Sequence, residues 1–141
     1  MAIVVGWREW VSLPRLGIRA IRAKVDTGAR SCALHVDSQW RFTDGGVPWV
    51  GFMLTTLAGD RPIEAAAPLL EEREVTDSGG HRTRRAFLRT QLSLAGVDRE
   101  VEVNLTERRG MRFPMLLGRT ALAGTFTVDP AGSYLVSGAP E

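Results

Sequence analysis

The fold class of this chain is decided by the stretch Ile21-Arg22-Ala23-Lys24-Val25-Asp26-Thr27-Gly28-Ala29. Residues 21–25 alternate apolar and charged side chains, which is typical of a half-buried β-strand. The strand leads into a short loop whose residue types have distinct uses. Asp26 supplies a carboxylate that can activate water, Thr27 a hydroxyl that can hydrogen-bond across a symmetric pair of loops, and Gly28 a backbone that tolerates close approach. The stretch therefore predicts a strand that ends in a chemically useful carboxylate.

An Asp-Thr-Gly turn after a strand is how aspartic proteases present a catalytic carboxylate. The chain contains one such triplet, which is half of an aspartic-protease site. The second half would have to come from another subunit, so the triplet predicts a homodimer. The alternative is an ordinary turn, because Asp, Thr and Gly are all frequent in turns.

A second segment, Met115-Leu116-Leu117-Gly118-Arg119, is an apolar run that ends in glycine far downstream. In aspartic proteases, two apolar residues followed by glycine form the strand that passes beside the Asp loop and holds it in place. The alternative is a buried strand with a glycine at its end. In this order and at this spacing, the two segments together favour the protease fold.

Length and composition agree with this interpretation. The chain has 141 residues, which predicts one domain, residues 1–141, with a sizeable core. Glycine is abundant and apolar runs are short, which favours a β-rich fold. No apolar run is long enough to span a membrane, the N-terminal residues do not resemble a signal peptide, and the single Cys32 fits a reducing compartment. We expect a cytoplasmic protein without a membrane partner.

The charge of the chain has two features. The formal net charge is only +2, so no nucleic-acid partner is expected. The basic residues are almost all arginine, and Lys24 is the only lysine. A GC-rich coding bias would explain this, and so would carboxylate recognition, since guanidinium groups pair bidentately with carboxylates. The two explanations are compatible.

Turn signals divide the chain into short strands. Asp44-Gly45-Gly46 is a strong turn signal, and Asp77-Ser78-Gly79-Gly80 lies between residues 62–76 and 82–94, which predicts one long hairpin built from those two segments. A short helical turn is expected at residues 120–122. The other strands are predicted near residues 2–11, 18–25, 33–36, 49–57 and 101–105, around Leu117, and at 126–128 and 134–136.

Four segments resemble the bacterial retropepsin-like proteases associated with RimK-type ATP-grasp ligases, a family often labelled ATP-dependent zinc protease. The segments are residues 6–11 (Gly-Trp-Arg-Glu-Trp-Val), 23–30 (Ala-Lys-Val-Asp-Thr-Gly-Ala-Arg), 75–82 (Val-Thr-Asp-Ser-Gly-Gly-His-Arg) and 111–119 (Met-Arg-Phe-Pro-Met-Leu-Leu-Gly-Arg). The resemblance covers nearly the whole chain and ends in Val128-Asp129-Pro130 and Ser133-Tyr134-Leu135.

The resemblance implies an all-β, retropepsin-like closed barrel with one short helix and one lobe per subunit of a homodimer. It implies that Asp26, Thr27 and Gly28 are catalytic and that no cofactor is needed. Two Asp26 carboxylates would share one proton and activate a water. The partner ligases add glutamate to proteins or peptides, so a functional link to such a ligase and a glutamate-rich substrate are implied.

The remaining site residues are assigned by their place in this scheme. The hairpin tip is expected to cover substrate as a flap, with glycines that let it move, or to be an ordinary exposed turn. Arg30 is expected to recognise a substrate carboxylate, and Arg119 to pair with a carboxylate and brace the dimer. The predicted substrate-binding residues are Ala29, Arg30, Asp77, Ser78, Gly79, Gly80 and His81, and the predicted supports are Leu116, Leu117, Gly118 and Arg119.

Two other functions are alternatives to the protease. A zinc-dependent hydrolase would draw on Cys32, His35 and His81, but the chain has no His-Glu-x-x-His and no second Cys-x-x-Cys, so no metal site is predicted. No phosphate-binding Gly-rich loop ending in Lys-Ser or Lys-Thr supports ATP dependence. A dimeric binding or regulatory module for acidic peptides or for the ligase would not need the Asp26 carboxylate.

Overall fold

A computed structural model describes residues 2–56, 60–107 and 112–139. These residues form mostly β-structure with one short α-helix, as predicted. The strands are β1 (Ile3–Gly6), β2 (Arg8–Leu13), β3 (Ile18–Asp26), β4 (Cys32–Val36), β5 (Ser38–Asp44), β6 (Val47–Leu54), β7 (Ile63–Pro68), β8 (Glu71–Thr76), β9 (Arg82–Leu94), β10 (Val97–Glu107), β11 (Met115–Gly118) and β12 (Phe126–Asp129). The helix α1 is Arg119–Leu122, and a 3-10 turn spans Pro14–Leu16.

The largest sheet is a ring of paired strands. Its order is β10-β4-β11-β3-β2-β9-β8, and β9 also pairs with β10. Six strands therefore return on themselves, while β8 extends outward from β9. The strand pairing in the ring is shortest between β2 and β9, where Ser12 is in register with Ser93. The predicted closed β-barrel is thus close to the observed ring.

Alternation along the long strands puts the core inside the ring. Leu88, Thr90, Leu92 and Leu94 alternate along β9 and are all buried, so they share the face that points into the ring. Residues facing them from other strands are also apolar and buried, among them Ile18, Ile21, Leu34, Val103, Met115 and Leu117. The opposite face of the same strands lies outside the ring, and part of it forms the cleft described below.

The predicted hairpin of residues 62–76 and 82–94 was wrong in its first half. Residues 71–76 do pair with β9, but residues 63–68 pair with β6 in a separate three-stranded sheet of order β5-β6-β7. The chain changes sheets at Leu69 and Leu70, whose amides donate to Pro48 O and Phe87 O at 2.9 and 2.8 Å. The first strand of this sheet, β5, was not predicted.

The two ends of the chain also differ from the sequence-based prediction. Residues 2–11 form two strands, because β1 pairs in parallel with β12 whereas β2 pairs with β3. At the junction, a Cβ added to Gly6 would lie 2.5 Å from Gly132 O, so the two segments can approach this closely only at a glycine. Residues 134–136 form no strand; the amides of Leu135 and Val136 donate to the Glu9 side chain instead of to a ladder.

Other predictions hold with small shifts. The helical turn at 120–122 is α1, and the strand at 126–128 is β12. The strand predicted at 49–57 is β6, which begins at Val47 and ends at Leu54; Leu57 lies outside the described residues, as does Met111 of the fourth motif. Among the residues described, no helix has both the length and the apolar character required to cross a membrane.

Candidate active site

Asp26 is the last residue of β3, where the ring strand gives way to the loop of residues 27–31. The loop begins as a tight turn in which the Ala29 amide donates to Asp26 O at 3.1 Å. The Asp26 side chain is half-buried, and a Cβ added to Gly28 would lie 3.3 Å from Asp26 Oδ1. The carboxylate therefore lies close against the backbone of the loop and still reaches solvent.

Strand β11 runs parallel to β3 and places Gly118 directly beside Asp26. The absence of a side chain at Gly118 is needed, because a Cβ there would lie 2.7 Å from Arg30 O and 2.5 Å from the Ser31 carbonyl carbon. The residues after Gly118 bind the loop directly: the Arg119 amide donates to Ala29 O at 2.8 Å and Thr120 Oγ1 donates to Arg30 O at 2.6 Å.

The four predicted support residues contribute in different ways to this contact. Leu117 is fully buried in the core and anchors β11, whereas Leu116 is half-buried and faces the cleft. Arg119 Nη1 donates to Gly28 O at 3.2 Å, so its guanidinium binds the loop backbone. No carboxylate of the described residues forms an ion pair with Arg119, so the predicted carboxylate partner is not found in that part of the subunit.

A cleft of about 750 Å³ opens beside Asp26. Its roof is the end of β8 and the start of the hairpin turn, and its floor is the outer face of the ring. The chemically notable groups in it are four arginines, one histidine and three carboxylates. The lining residues are Asp26, Gly28, Ala29, Arg30, Ser31, Ala33, His35, Arg73, Glu74, Val75, Thr76, Asp77, Ser78, Arg85, Phe87, Asn104, Thr106, Leu116 and Arg119.

The hairpin tip is held by one carboxylate. Asp77 Oδ1 accepts hydrogen bonds from the amides of Gly79 and His81, both at 2.9 Å, and lies 3.4 Å from His81 Nδ1. The His81 and Gly79 amides hold the pKa of the Asp77 carboxyl below its usual range. Gly80 has φ 83°, which favours glycine at that position.

The structure brings only part of the predicted substrate-binding set to the cleft. Ala29, Arg30, Asp77 and Ser78 line it, whereas Gly79, Gly80 and His81 do not, and the His81 side chain is 81% exposed. Thr27 of the predicted catalytic set is exposed on the loop outside the cleft lining.

The sequence predicted no substrate contact on the wall of the cleft farthest from the Asp26 loop, where it marked His35 only as a candidate zinc ligand. His35 of β4, Arg85 of β9, and Asn104 and Thr106 of β10 all line it. Asn104 is 5% exposed, although it occupies a polar position in the alternating stretch 100–105. The one sequence signal for this wall is Asn104 itself, a short polar residue that follows Glu100 and Glu102 in an alternating strand.

The residues considered for zinc do not converge. Cys32 is buried beneath the loop, and burial raises the pKa of its thiol to about 11, with a partly opposing hydrogen bond from the Gly118 backbone. It is therefore a neutral thiol near pH 7. His35 lies in the cleft, whereas His81 is at the exposed hairpin tip. Within residues 2–56, 60–107 and 112–139, no three His, Cys, Asp or Glu side chains are grouped as metal ligands would be.

The ring, the Asp loop and the glycine-ended strand beside it define a retropepsin-like β protein. Residues 4–138 match the RimB-like family, described as retropepsin-like aspartic endopeptidase RimB, and the chain belongs to this family. A solved structure with the same fold is that of Lpg0085 from Legionella pneumophila, a protein with unknown function (DUF785). It has a TM-score of 0.79 and 27% sequence identity, and the alignment covers 96% of this chain and 99% of that one.

The curated relatives of this chain are named as ligases and not as peptidases. A probable alpha-L-glutamate ligase from Parasynechococcus marenigrum is 40% identical over 134 residues, which is 94% of this chain and 29% of the ligase. The protein of the same name from Shewanella pealeana is 35% identical over 133 residues, with 93% and 29% coverage. The chain thus spans less than a third of the length of these relatives.

Proposed function

We propose that this chain is an aspartic endopeptidase, a single retropepsin-like domain that is active as a homodimer. The observation that carries the proposal is the placement of Asp26, at the mouth of a cleft and on a loop held by the strand that ends at Gly118. One chain supplies one such carboxylate. A complete site therefore needs the Asp26 of a second copy across a two-fold axis.

Hydrolysis follows from the chemistry of two neighbouring carboxylates. Like charges at close range cannot both ionise easily, so the pair shares one proton and titrates in two macroscopic steps. The ionised Asp26 takes a proton from water, and the protonated Asp26 hydrogen-bonds to the scissile carbonyl. Thr27, exposed on the loop, would bond the two loops to each other. No covalent intermediate and no cofactor is required.

The proposed substrate is a glutamate-rich peptide or tail made by a RimK-type ligase. Two observations support it: the curated relatives are named glutamate ligases, and arginines line the cleft. Arg30 is exposed at the loop, and its guanidinium forms no hydrogen bond or ion pair with any described residue, so it is available to a substrate carboxylate. Arg30→Ala should then slow cleavage of glutamate-rich peptides more than of neutral ones. Arg119→Ala should weaken the loop or the dimer.

The direct test is incubation of glutamate-tailed peptides with the native chain and with Asp26→Asn, followed by mass spectrometry of the products. We expect cleavage by the native chain only, together with a dimer in sedimentation. A strict monomer at high concentration would remove the basis for a complete site. Activity that survives Asp26→Asn and disappears with a metal chelator would favour a zinc-dependent hydrolase.

A second candidate is a non-catalytic dimeric module that binds acidic peptides or regulates the ligase. The observation that favours it is the name of the curated relatives, which are ligases in which the matched region is less than a third of the chain. Such a module would bind glutamate-tailed peptides without cleaving them, and Asp26→Asn would leave that binding and any effect on ligase activity unchanged.

A further inference from the structure

We propose that the outer face of β2 and β3, beside Asp26, is an exosite that binds the carboxylate side chains of an acidic peptide through Arg8 and Lys24. An exosite is a substrate-binding surface outside the active-site cleft, and neither residue is part of the cleft lining. The inference deepens the proposed function and rests on it, because it takes the glutamate-rich substrate proposed above as the ligand.

Strand register places two cations directly opposite each other on this face. Arg8 of β2 pairs with Lys24 of β3, and the next pair in the register, Glu9 with Ala23, is fully buried. Because side chains alternate along a strand, Arg8 and Lys24 both project outward from the ring. Like charges directly opposite each other on one face of a sheet are destabilising. A bound anion would relieve this repulsion.

The fold itself supplies no such anion. Within residues 2–56, 60–107 and 112–139, no carboxylate forms an ion pair with Arg8 or Lys24. Other arginines of the molecule are neutralised: glutamates lie within 3.8 Å of Arg15, Arg41, Arg73, Arg82, Arg84 and Arg89. The charges of Arg8 and Lys24 are therefore left for a ligand.

Aromatic rings hold the Arg8 guanidinium in place. Its Cζ lies 4.6 Å from the centroid of the Trp7 ring and 4.9 Å from that of Tyr134. Trp7 is in turn packed edge-to-face against Phe113 at 5.7 Å, and Tyr134 stacks on Trp10 at 6.4 Å. A guanidinium held by its faces keeps N–H groups at its edge for a carboxylate. Because the side chain is already fixed, less rotamer entropy is lost when a ligand binds.

The exosite is continuous with the candidate active site. Lys24 pairs with Leu116 of β11, which lines the cleft. Lys24 is also two residues before Asp26 on β3, so both side chains project from the same face, about 7 Å apart along the strand. An extended peptide covers this distance in about two residues. The exosite should therefore bind an acidic residue roughly two positions from the scissile bond.

The surroundings of these cations favour carboxylates over a nucleic acid. The nearby rings are already packed against cations or against each other, so they do not form a free platform for stacking bases. Arg22, another outward cation on β3, lies over the Phe113 ring at 5.2 Å and donates to Arg112 O at 2.8 Å. The formal net charge of the chain is only +2. Two neighbouring cations suit a short acidic segment better than a phosphate backbone, which is bound by many cations.

The test measures binding without hydrolysis. In the Asp26→Asn background, fluorescence anisotropy compares the affinities for a labelled oligoglutamate peptide and for the matching oligoglutamine peptide. Lys24→Gln should weaken glutamate binding by about two- to fivefold, and Arg8→Gln by about tenfold or more because Arg8 is half-buried. Glutamine binding should change by less than about twofold. Arg84→Gln is the matched control, since Arg84 is 71% exposed, is paired with Glu72 and lies outside the cleft lining.

The melting temperature provides a second readout. Lys24→Gln removes one of two opposed like charges, so it should leave the melting temperature unchanged or raise it while binding weakens. A structural lysine would behave in the opposite way, and a clear fall in melting temperature would contradict the exosite. If Arg8→Gln does not fold, Lys24→Gln decides, because Lys24 is exposed.

Other results would overturn the exosite. They are equal losses for both peptides, no loss in either variant, no preference of the parent for glutamate, and an equal effect of Arg84→Gln. A labelled oligouridylate that binds more tightly than oligoglutamate and is released by Lys24→Gln would assign the surface to a nucleic acid. Loss of a dimer in sedimentation on Lys24→Gln would assign it to a second copy of the chain.

The outcomes also separate the exosite from the peptidase. If the native chain binds glutamate peptides through Arg8 and Lys24 without cleaving them, the peptidase fails and the exosite stands. If the native chain cleaves these peptides while neither substitution changes their binding, the exosite fails and the peptidase stands.

Discussion

Two carboxylates near the ends of paired strands have opposite environments. Glu9 is on β2 and is fully buried, and its two oxygens accept four hydrogen bonds. Asp26 ends the neighbouring strand β3 and is half-buried, and within the described part of the chain no group donates a hydrogen bond to its carboxylate. The carboxylate of Glu9 thus has all of its hydrogen-bonding capacity in use, whereas the carboxylate of Asp26 is accessible.

The donors to Glu9 come from both ends of the chain. Oε2 accepts from the Gly6 amide at 2.7 Å and from the Leu135 amide at 2.8 Å, while Oε1 accepts from Ser137 Oγ at 2.6 Å. Ser137 Oγ also accepts from the Trp10 amide at 2.7 Å. Glu9 therefore ties the C-terminal segment to the first strands, and no capacity remains for a ligand.

The comparison shows how a structural carboxylate differs from a reactive one. Burial of a charge is tolerated only when donors compensate it, and such a group holds the fold together. A carboxylate on a glycine-containing loop keeps its lone pairs for water and substrate. Environment, rather than residue type, distinguishes the two, and the following predictions test that distinction.

The largest expected effect is on activity, from Asp26→Asn. Asparagine has nearly the same shape but cannot accept a proton from water, so turnover should fall by about 100-fold or more. Stability should change by less than about 0.5 kcal/mol, or rise slightly as repulsion in the dimer is removed. Peptide cleavage and urea unfolding provide the two readouts, and the exposed Asp44→Asn is the control. A marked loss of stability would mean that Asp26 is a structural group like Glu9.

Glu9→Gln should have the largest effect on stability. The amide would direct N–H groups at backbone N–H groups, leaving buried donors unsatisfied, and should lower the free energy of unfolding by about 2 to 4 kcal/mol. Urea titration measures this, with the exposed Glu64→Gln as control. If the two variants have the same stability, the four hydrogen bonds of Glu9 do not hold the chain ends.

Gly118→Ala tests the support of the Asp26 loop. The new Cβ would meet the carbonyl groups of Arg30 and Ser31, so the loop must shift, at a cost of about 1 to 3 kcal/mol. Activity should fall with stability, because Asp26 moves with the loop. Gly138→Ala is the matched control, since nothing lies within 4 Å of a Cβ added there. Full activity in Gly118→Ala would show that the contact is not needed.

The smallest effect concerns the hairpin tip and pH. Hydrogen bonds from the His81 and Gly79 amides lower the pKa of Asp77 in the folded state. A carboxyl with a lowered folded pKa stabilises the turn above its unfolded pKa, near 3.9, and that contribution is lost as pH falls through the folded value. NMR shifts of the two amides should follow this titration below about pH 4, while Asp77→Ala should abolish it. Unchanged amide shifts would contradict the role of Asp77.

By itself, the sequence determined the β-rich class, the strand that ends at Asp26, the helical turn after Gly118 and the turn at residues 77–80. These features depend on alternation and on turn residues, which are local properties of the chain. The motif resemblance added the long-range pairing of the Asp loop with the strand before Gly118, and the structure confirms that contact. The catalytic and binding roles of these residues remain predictions.

Only the tertiary structure decided which groups meet across long sequence distances. The division of residues 62–76 between two sheets depends on partners in β6 and β9, and a strand pattern does not specify its partner. The Glu9 oxygens meet the amide of Leu135, 126 residues away, and Asn104 meets Cys32 O, 72 residues away. Local sequence cannot reveal such contacts, because a buried glutamate or asparagine looks like any polar residue until its donors and acceptors are brought to it.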